Sequence, residues 1–452
     1  MPRHLLVSLL AFPLSTSAIF AAPQQAAPVV VPTPVPQAPP EPPPFVSLPI
    51  PPEMVIRETA VLDAPGPTAS PSFGSIIGWA GPRVVVTGPD RPKTAGFTGQ
   101  IATFERTAEG WKALLEMGGV PNAQPGDLLL QRIAASEDWV LSNSDRFGQV
   151  GAAVVLALAR DPASPSGWTL RQRIRAPQGV QAPNFGSVMA SDGVYAAFSV
   201  IDTVVRGPAQ RTATLNPNVC LFRVGPTGWV PAGTLQRDTE SDALWFGASL
   251  ALDSGTLAVG SPRAIPPSPK QPAQESGAAA VCIFRFTDGQ WKKEAELLPP
   301  GDCNWPTFGT TMAMRGDLCA VRANRLDLSE ARVFVYRRTG SSWNLEGELA
   351  PQAPVQKGNA WGLGLAVGDG FVVVGDPSAG VGAQASGAAC VYGVVDGAWR
   401  LRWLLAPSVP TARNRFGGAL QTRGRQVLVG RSRNENEGIE PGGAFLFDVP
   451  AN

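Results

Sequence analysis

Histidine is almost absent from this sequence, and cysteine is scarce. The 452 residues include one histidine, His4, and five cysteines: Cys220, Cys282, Cys303, Cys319 and Cys390. An odd number of cysteines cannot all pair within one chain, and five in a chain of this length do not form a disulfide scaffold. If His4 is lost by processing, imidazole can neither activate a nucleophile nor bind a metal in the mature chain.

Charge is low and balanced, with 37 basic and 36 acidic residues. Because nucleic-acid binding depends on clustered basic charge, the composition argues against a nucleic-acid partner. After the first residues no apolar run reaches the length of about 20 residues that a membrane span needs. The sequence contains no nucleophile elbow, no phosphate-binding glycine loop and no metal-ligand spacing. We therefore predict no catalytic residue, no cofactor and no metal site.

The first 22 residues predict a secretory signal peptide. A short basic start, Arg3 and His4, precedes an apolar run, and small residues suitable for cleavage follow it: Ala18, Ala21 and Ala22. A membrane anchor is the alternative, but Pro13 interrupts a run that is already short. No cysteine lies near the cleavage region, so lipoprotein attachment is not expected. We predict a secreted or cell-envelope protein.

Residues 23–52 form a proline-rich segment, "PQQAAPVVVPTPVPQAPPEPPPFVSLPIPP". Proline fixes φ and removes a backbone donor, so this segment is predicted to be an extended, semi-rigid linker. It either holds the folded part away from a surface or is a leader without a role of its own.

The rest of the chain contains an internal repeat. A tryptophan after a turn recurs at Trp111, Trp168, Trp229, Trp291, Trp343 and Trp399. Seventeen or eighteen residues after each of the last five comes an aromatic residue followed by glycine, whereas the interval from Trp111 reaches Leu128. An aromatic residue seven positions before the tryptophan recurs in five of the six repeats, and an apolar residue six positions after it recurs in all. These intervals together identify repeats of 53–62 residues.

Each repeat divides into four short strands. The second strand carries apolar residues eleven and thirteen positions after the start, as in Val84 and Val86, and such alternation is typical of a β-sheet. Four-stranded units in series indicate an all-β fold, a β-propeller, whereas an open solenoid or a pair of sandwiches is the alternative. The starts of the repeats predict seven blades: Phe73, Leu128, Phe185, Phe246, Phe308, Trp361 and Phe416.

The seventh repeat lacks its fourth strand, because the expected tryptophan would fall at position 454, beyond Asn452. Ile56 lies seventeen residues before Phe73, and Leu62 lies six residues after Ile56, which is the spacing of a fourth strand. We therefore predict that the segment around Ile56 completes the last blade and closes a ring over 53–452. Closure also removes exposed sheet edges, which favour aggregation.

The Phe-Gly pairs at 73–74, 185–186, 246–247, 308–309 and 416–417 are accompanied by "VGSP" at 259–262, "VGDP" at 374–377 and "SGAA" at 276–279 and 386–389. Over roughly residues 54–450, these repeats resemble FG-GAP repeats, the blade motif of the integrin α-subunit propeller and of many secreted bacterial proteins. The resemblance implies a propeller fold. It implies a role in adhesion, protein interaction or carbohydrate recognition without choosing among them.

The chain departs from the family at the calcium loop, which often reads D-x-D-x-D-G between the second and third strands of a blade. Calcium needs six to eight oxygen ligands, several of them carboxylates. The corresponding loops here hold few acidic residues, and the richest has the wrong spacing: Asn434, Glu435, Asn436 and Glu437. We predict a solvated loop there.

The repeated tryptophans are predicted to pack between blades, because a ligand site is rarely repeated six times. Four tryptophans outside that position are candidates for ligand stacking: Trp79, Trp245, Trp305 and Trp403. Cys220, Cys282 and Cys390 share one position, two residues before the aromatic residue of the third strand, and are predicted to pack in the core. Cys319 replaces a valine of the second strand and is predicted to be buried as well. A Cys303–Cys319 disulfide is the alternative for that pair.

Acidic residues at strand-end turns are either turn formers or carboxylates of a rim pocket: Asp90, Asp145 and Asp376. The variable connections 202–218 and 261–276 lie in the third and fourth repeats. We interpret the protein as an exported, non-enzymatic, monomeric binding propeller, whose partner is an extracellular protein or a glycan. The alternatives are a secreted carbohydrate-active enzyme with carboxylates at the channel mouth and a structural cell-surface protein.

Overall fold

The computed structural model of the chain describes residues 50–65, 72–88, 100–114, 117–118, 127–146, 153–178, 184–200, 218–236, 245–265, 274–275, 279–301, 305–325, 327, 329–352, 360–383, 385–432 and 442–451. All of them belong to one compact unit, Phe45–Asn452. Within these ranges no helix is long and apolar enough to cross a membrane. The predicted signal peptide and nearly all of the predicted linker lie outside the described residues.

The described chain begins with a turn of 3-10 helix, Pro52–Met54, and two short strands, β1 (Val55–Ile56) and β2 (Ala60–Asp63). Three antiparallel sheets follow in chain order. Blade 1 consists of β3 (Ile76–Ala80), β4 (Arg83–Gly88), β5 (Gln100–Thr107) and a divided fourth strand, β6 (Gly110–Ala113) and β7 (Met117–Gly118). Blade 2 consists of β8 (Asp127–Ala135), β9 (Trp139–Arg146), β10 (Val154–Arg160) and β11 (Trp168–Ile174). Blade 3 consists of β12 (Met189–Ser191), β13 (Tyr195–Val200), β14 (Asn218–Gly225) and β15 (Gly228–Leu235).

Four further antiparallel sheets complete the ring, which confirms the predicted fold of seven four-stranded blades. Blade 4 consists of β16 (Ser249–Asp253), β17 (Thr256–Ser261), a two-stranded ribbon of β18 (Ala264–Ile265) and β19 (Gln274–Glu275), then β20 (Ala280–Thr287) and β21 (Gln290–Leu297). Blade 5 consists of β22 (Thr311–Arg315), β23 (Leu318–Asn324), β24 (Ala331–Thr339) and β25 (Ser342–Leu349). Blade 6 consists of β26 (Leu365–Val367), β27 (Phe371–Asp376), β28 (Ala388–Val395) and β29 (Ala398–Leu405). Blade 7 consists of β30 (Ala419–Arg423), β31 (Gln426–Arg431), β32 (Gly443–Asp448) and β2.

The hydrophobic core lies between the blades. Among the described residues the buried apolar side chains form seven clusters, and each cluster joins two neighbouring blades. One of them joins blade 7 to blade 1, through Leu62 and Leu428 on one side and Phe73 and Val84 on the other. The second strand of a blade is buried on both faces because a neighbouring blade covers each face; Val84, Val85 and Val86 are all fully buried.

The N-terminal strand β2 closes the ring. It pairs antiparallel with β32, with Leu62 opposite Ala444, and Leu62 is only 1% exposed. In the other blades the equivalent apolar residue has the same partner position, as in Leu297 opposite Val281. The predicted closure and the predicted register of Leu62 are therefore confirmed.

The prediction for Ile56 is wrong. Ile56 does not join blade 7 but pairs in parallel with Leu405 of blade 6, in strand β1. Arg57 donates to the carbonyl of Pro407 (2.7 Å), and Glu58 accepts a hydrogen bond from the backbone N–H of Ser408 (2.8 Å), so polar contacts hold this segment against blade 6.

By the register of the other blades, Ile56 would face Val449 on blade 7. The N–H of Val449 donates to the carbonyl of Arg425 (3.0 Å), as the equivalent N–H of Phe286 donates to Gly255 in blade 4. The Arg425 side chain in turn donates to the carbonyl of Val449 (2.9 Å). The chain joins blade 7 only at Thr59, whose N–H donates a hydrogen bond to the carbonyl of Leu446 (2.7 Å). Residues 55–63 thus bind the outer edges of two blades.

Candidate functional site

The first strands of all seven blades border a channel along the ring axis, with a volume of about 520 Å³. Its wall includes apolar side chains such as Ile133, Met189 and Met314. We call the lower face the end at which each first strand turns into the second, and the upper face the opposite end, where the Phe-Gly turns lie. The polar and charged lining residues lie at or near the lower end of their strands, among them Asp192, Asp253 and Arg315.

The two carboxylates at the lower mouth bind backbone amides. Asp192 accepts hydrogen bonds at Oδ1 from the N–H groups of Val194 (2.9 Å) and Tyr195 (2.7 Å), and at Oδ2 from the N–H of Gly255 (2.9 Å). Asp253 accepts at Oδ2 from the N–H of Gly316 (2.9 Å). Oδ1 of Asp192 thus holds the turn of its own blade, and Oδ2 of each aspartate holds the turn of the next blade.

Two further contacts continue this arrangement around the lower face. Arg315 of blade 5 pairs with Asp369 of blade 6, with 2.6 Å between Nε and Oδ1. The guanidinium of Arg423 in blade 7 lies over the Trp79 ring of blade 1, 5.3 Å from its centroid. Trp79 is therefore occupied by a contact within the protein.

The upper face is built from the Phe-Gly turns. The glycine of each turn has a φ between 77° and 91°, which favours glycine: Gly74, Gly186, Gly247, Gly309, Gly362 and Gly417. In Gly74, Gly309 and Gly417 the carbonyl lies against a glycine in the second strand of the preceding blade. A Cβ on Gly260 would lie 2.1 Å from the carbonyl oxygen of Gly309, and one on Gly375 would lie 1.9 Å from that of Gly417. This close approach explains why glycine recurs in both places.

We call the residue fourteen positions after the first residue of a blade the joint position. Among the six blades with a regular start, three hold glycine there (Gly260, Gly375 and Gly430), two hold a hydroxyl (Thr87 and Ser199) and blade 5 holds Arg322. All of the non-glycine side chains are buried, and Arg322 is only 4% exposed.

Arg322 lies at the joint between blades 5 and 6. Its Nε donates to the carbonyl of Trp361 (2.8 Å), and its Cδ lies so close to Gly362 that a Cβ there would be 2.9 Å away. Among the described residues no carboxylate forms an ion pair with it, and burial lowers the pKa of Arg322 to about 10. Within the described ranges, the upper face thus holds a buried cation without a counter-ion.

Two more arginines lie three residues further along the repeat. Arg325 in blade 5 stacks on Trp305, 4.3 Å from the ring centroid, and pairs with Glu330 (3.2 Å). Arg263 is its equivalent in blade 4, and its buried Nε has no hydrogen-bond partner among the described residues. Basic side chains therefore cluster at the upper ends of blades 4 and 5.

The repeated tryptophans pack between blades, as predicted. Trp168 and Trp229 are almost fully buried, and each side chain contacts the preceding blade. The measured contacts are Trp168 Nε1 to Thr103 Oγ1 (2.8 Å), Trp229 to Trp139 (5.9 Å between rings), Trp343 Nε1 to Glu294 Oε1 (3.0 Å) and Trp399 Nε1 to Glu346 Oε2 (3.2 Å).

Two of the four tryptophans predicted as stacking candidates are not available for a ligand. Trp245 and Trp305 are buried, because each packs against its own or a neighbouring blade, and the prediction is wrong for them. Trp79 is 9% exposed and lines the channel, so for this residue stacking stays a prediction. Trp403 is half-buried, and the guanidinium of Arg402 lies 5.9 Å from its centroid. Its position on the outer strand of blade 6 is away from both faces of the channel.

Asp376 is not a rim residue. It is buried at the end of β27, burial raises the pKa of its carboxyl, and its Oδ1 accepts a hydrogen bond from the N–H of Ser378 (3.2 Å). Asp90, the loop 434–437 and the side chain of Asp145 lie outside the described residues. Within the described ranges, no group of three or more histidine, cysteine, aspartate or glutamate side chains could hold a metal ion.

The cysteine positions are packing positions, as predicted. Cys220, Cys282, Cys319 and Cys390 are all buried. Burial raises the pKa of the Cys220, Cys319 and Cys390 thiols to about 12, so none of these three is a reactive thiolate. Cys319 is a free thiol, and Cys303 lies outside the described residues.

No protein-family model matches the sequence, and no curated protein matches it. Among solved structures, the β-propeller domain of the Trilobed protease from Pyrococcus furiosus, with an open velcro topology, is similar over 83% of this chain and 96% of its own, at 10% identity and a TM-score of 0.45. A hypothetical selenium-binding protein from Sulfolobus tokodaii is similar over 74% of this chain and 80% of its own, at 10% identity and a TM-score of 0.44. At this level of similarity the fold rests on the strand pairing described above, and neither protein's role transfers to this chain.

Proposed function

We propose that this protein is an exported, non-enzymatic binding propeller that recognises an extracellular protein or a glycan at its upper face. The proposal rests on the connections between second and third strands, which leave each blade at that face. The connections of blades 3 and 4 span 201–217 and 262–279, whereas that of blade 6 spans 377–387. The predicted binding loops 202–218 and 261–276 fall almost entirely in these two connections, and most of their residues lie outside the described ones.

The position of the two connections supports a shared surface. Because they belong to neighbouring blades and leave the ring at the same face, a ligand can contact both at once. Repeat scaffolds commonly carry specificity in variable loops on a rigid frame. The arginines of blades 4 and 5 lie at the base of the second connection and next to it, so the surface has a basic border.

The rival, a secreted carbohydrate-active enzyme, needs two carboxyl groups about 5–9.5 Å apart that are free to exchange protons with the substrate. The candidate carboxylates at the lower mouth, Asp192 and Asp253, instead accept hydrogen bonds from backbone amides. This use of the carboxylates favours binding over hydrolysis.

The test is to replace both long connections with short turns and to probe the variant and the unchanged protein on arrays of glycans and extracellular proteins. We expect the variant to lose capture and to keep its melting temperature. A control variant with a shortened connection at 89–99 of blade 1 should keep capture. Equal capture by all three proteins would contradict the proposal.

A further inference from the structure

The joint position of blade 5 departs from that of every other regular blade. Glycine or a hydroxyl closes the joint in the other five, so the packing of the ring does not require a charge there. Blade 5 nevertheless buries Arg322, a residue only 4% exposed. A residue that differs from its equivalents in the other repeats and that destabilises the fold is a candidate for a functional role.

Burial of an unpaired cation is costly, and buried charges in proteins are normally paired or hydrogen-bonded throughout. Arg322 has one hydrogen bond from its side chain within the described part of the chain, from Nε to the carbonyl of Trp361. Burial lowers its pKa to about 10, and no carboxylate among the described residues opposes that effect. Arg325 provides the contrast, since Glu330 and the ring of Trp305 satisfy it.

We propose that Arg322 binds an oxyanion at the joint between blades 5 and 6 on the upper face: a sulfate, a phosphate or a carboxylate. Nε is held by Trp361, so the two terminal amino groups are the donors that remain. A guanidinium presents such donors in a planar fork that matches two oxygens of an oxyanion. This site needs only the anionic group, so it stands whether or not the two long connections bind a macromolecule.

The carbonyl of Trp361 orients the side chain, and the close contact with Gly362 leaves it little freedom. The donor fork is therefore held in place before the anion arrives. A bound oxyanion would supply the counter-charge that the described residues do not, so binding should stabilise the folded state in proportion to occupancy.

The experiment measures thermal unfolding of the full chain in rising sodium sulfate, sodium phosphate or sodium acetate, each against sodium chloride at equal ionic strength. Arg322→Met and Arg322→Gly remove the fork, and the glycine is the residue of three other blades. Arg325→Met is the matched control. Sulfate and phosphate stabilise most proteins generally. The quantity compared is therefore the rise in melting temperature of each variant and of the unchanged protein in the same salt.

We expect a saturable rise in melting temperature for the unchanged protein and for Arg325→Met. Both Arg322 variants should lose the saturable part, with at least about a tenfold weaker anion affinity. The comparison of the three salts identifies the preferred oxyanion. The proposal is overturned if the unchanged protein shows no saturable rise, or if a folded Arg322 variant keeps it.

Discussion

Asp253 accepts a hydrogen bond from the backbone N–H of Gly316, 63 residues further along the chain, at 2.9 Å. Asp192 makes the same contact with Gly255, again at a separation of 63 residues and 2.9 Å. In each case a carboxylate at the end of one first strand holds the turn of the next blade. The same contact thus joins blade 3 to blade 4 and blade 4 to blade 5 at the lower face.

We expect Asp253→Ala to destabilise the protein by about 1 kcal/mol, because the N–H of Gly316 loses a charged acceptor but can reach water. Asp253→Asn keeps an acceptor oxygen, so its unfolding free energy should fall by less. Urea unfolding of both variants checks this. Glu109→Ala, in an exposed turn, is the control and should change the unfolding free energy by less than about 0.5 kcal/mol. A loss no larger for Asp253→Ala than for the control would show that the contact contributes nothing.

Trp229→Ala should cost about 3–5 kcal/mol, the usual range for removal of a fully buried large aromatic side chain. Trp291 occupies the same position in the next blade but is only half-buried, so Trp291→Ala should cost clearly less. Chemical denaturation of the two variants gives the difference. If the two substitutions lower the unfolding free energy equally, the burial of this tryptophan does not determine how much it stabilises the protein.

The closing strand should be essential, whereas the residues before it should not be. Removal of residues 1–63 deletes β2, exposes the edge of β32 and loses the burial of Leu62. We expect a loss of roughly 4–6 kcal/mol from apolar burial and ladder hydrogen bonds, together with self-association at the free edge. Removal of residues 1–49 should leave stability unchanged. Denaturation and size-exclusion chromatography separate the two variants, and equal behaviour would contradict the closure.

Asp376 should make stability depend on pH. Burial raises the pKa of its carboxyl above the ordinary value of 3.8, so the unfolded state loses the proton at a lower pH than the folded state does. The folded state is therefore disfavoured as pH rises from the ordinary pKa through the raised one. Asp376→Asn keeps an acceptor for the N–H of Ser378 and carries no charge. Its stability relative to the unchanged protein should increase from pH 3 to pH 7, and a constant difference would contradict the assignment.

Much of the fold follows from intervals in the sequence. Val84 and Val86, and their equivalents, alternate because a blade has two faces, and Leu62 lies in register because it keeps the interval of the other fourth strands. Ile56 keeps the interval as well, yet it binds blade 6. Its place depends on Arg57, Glu58 and Arg425, whose partners belong to other parts of the chain, and no local pattern reports such contacts.

The candidate site was harder to predict. Arg322 lies in an apolar strand, and the count of fourteen residues would have marked it as an exception among glycines and hydroxyls. The interval of fourteen residues cannot show that Arg322 is buried without a described carboxylate beside it. The burial of Trp245 and Trp305 likewise depends on the neighbouring strands, which no local pattern reports.

Pairing of β2 with β32 makes the ring depend on a contact between distant parts of the sequence. Leu62 and Ala444 face each other although 382 residues separate them. Without this pair, blades 1 and 7 each lack a neighbour, and the cluster that joins them is open to water. Loss of either strand therefore weakens both of these blades at once.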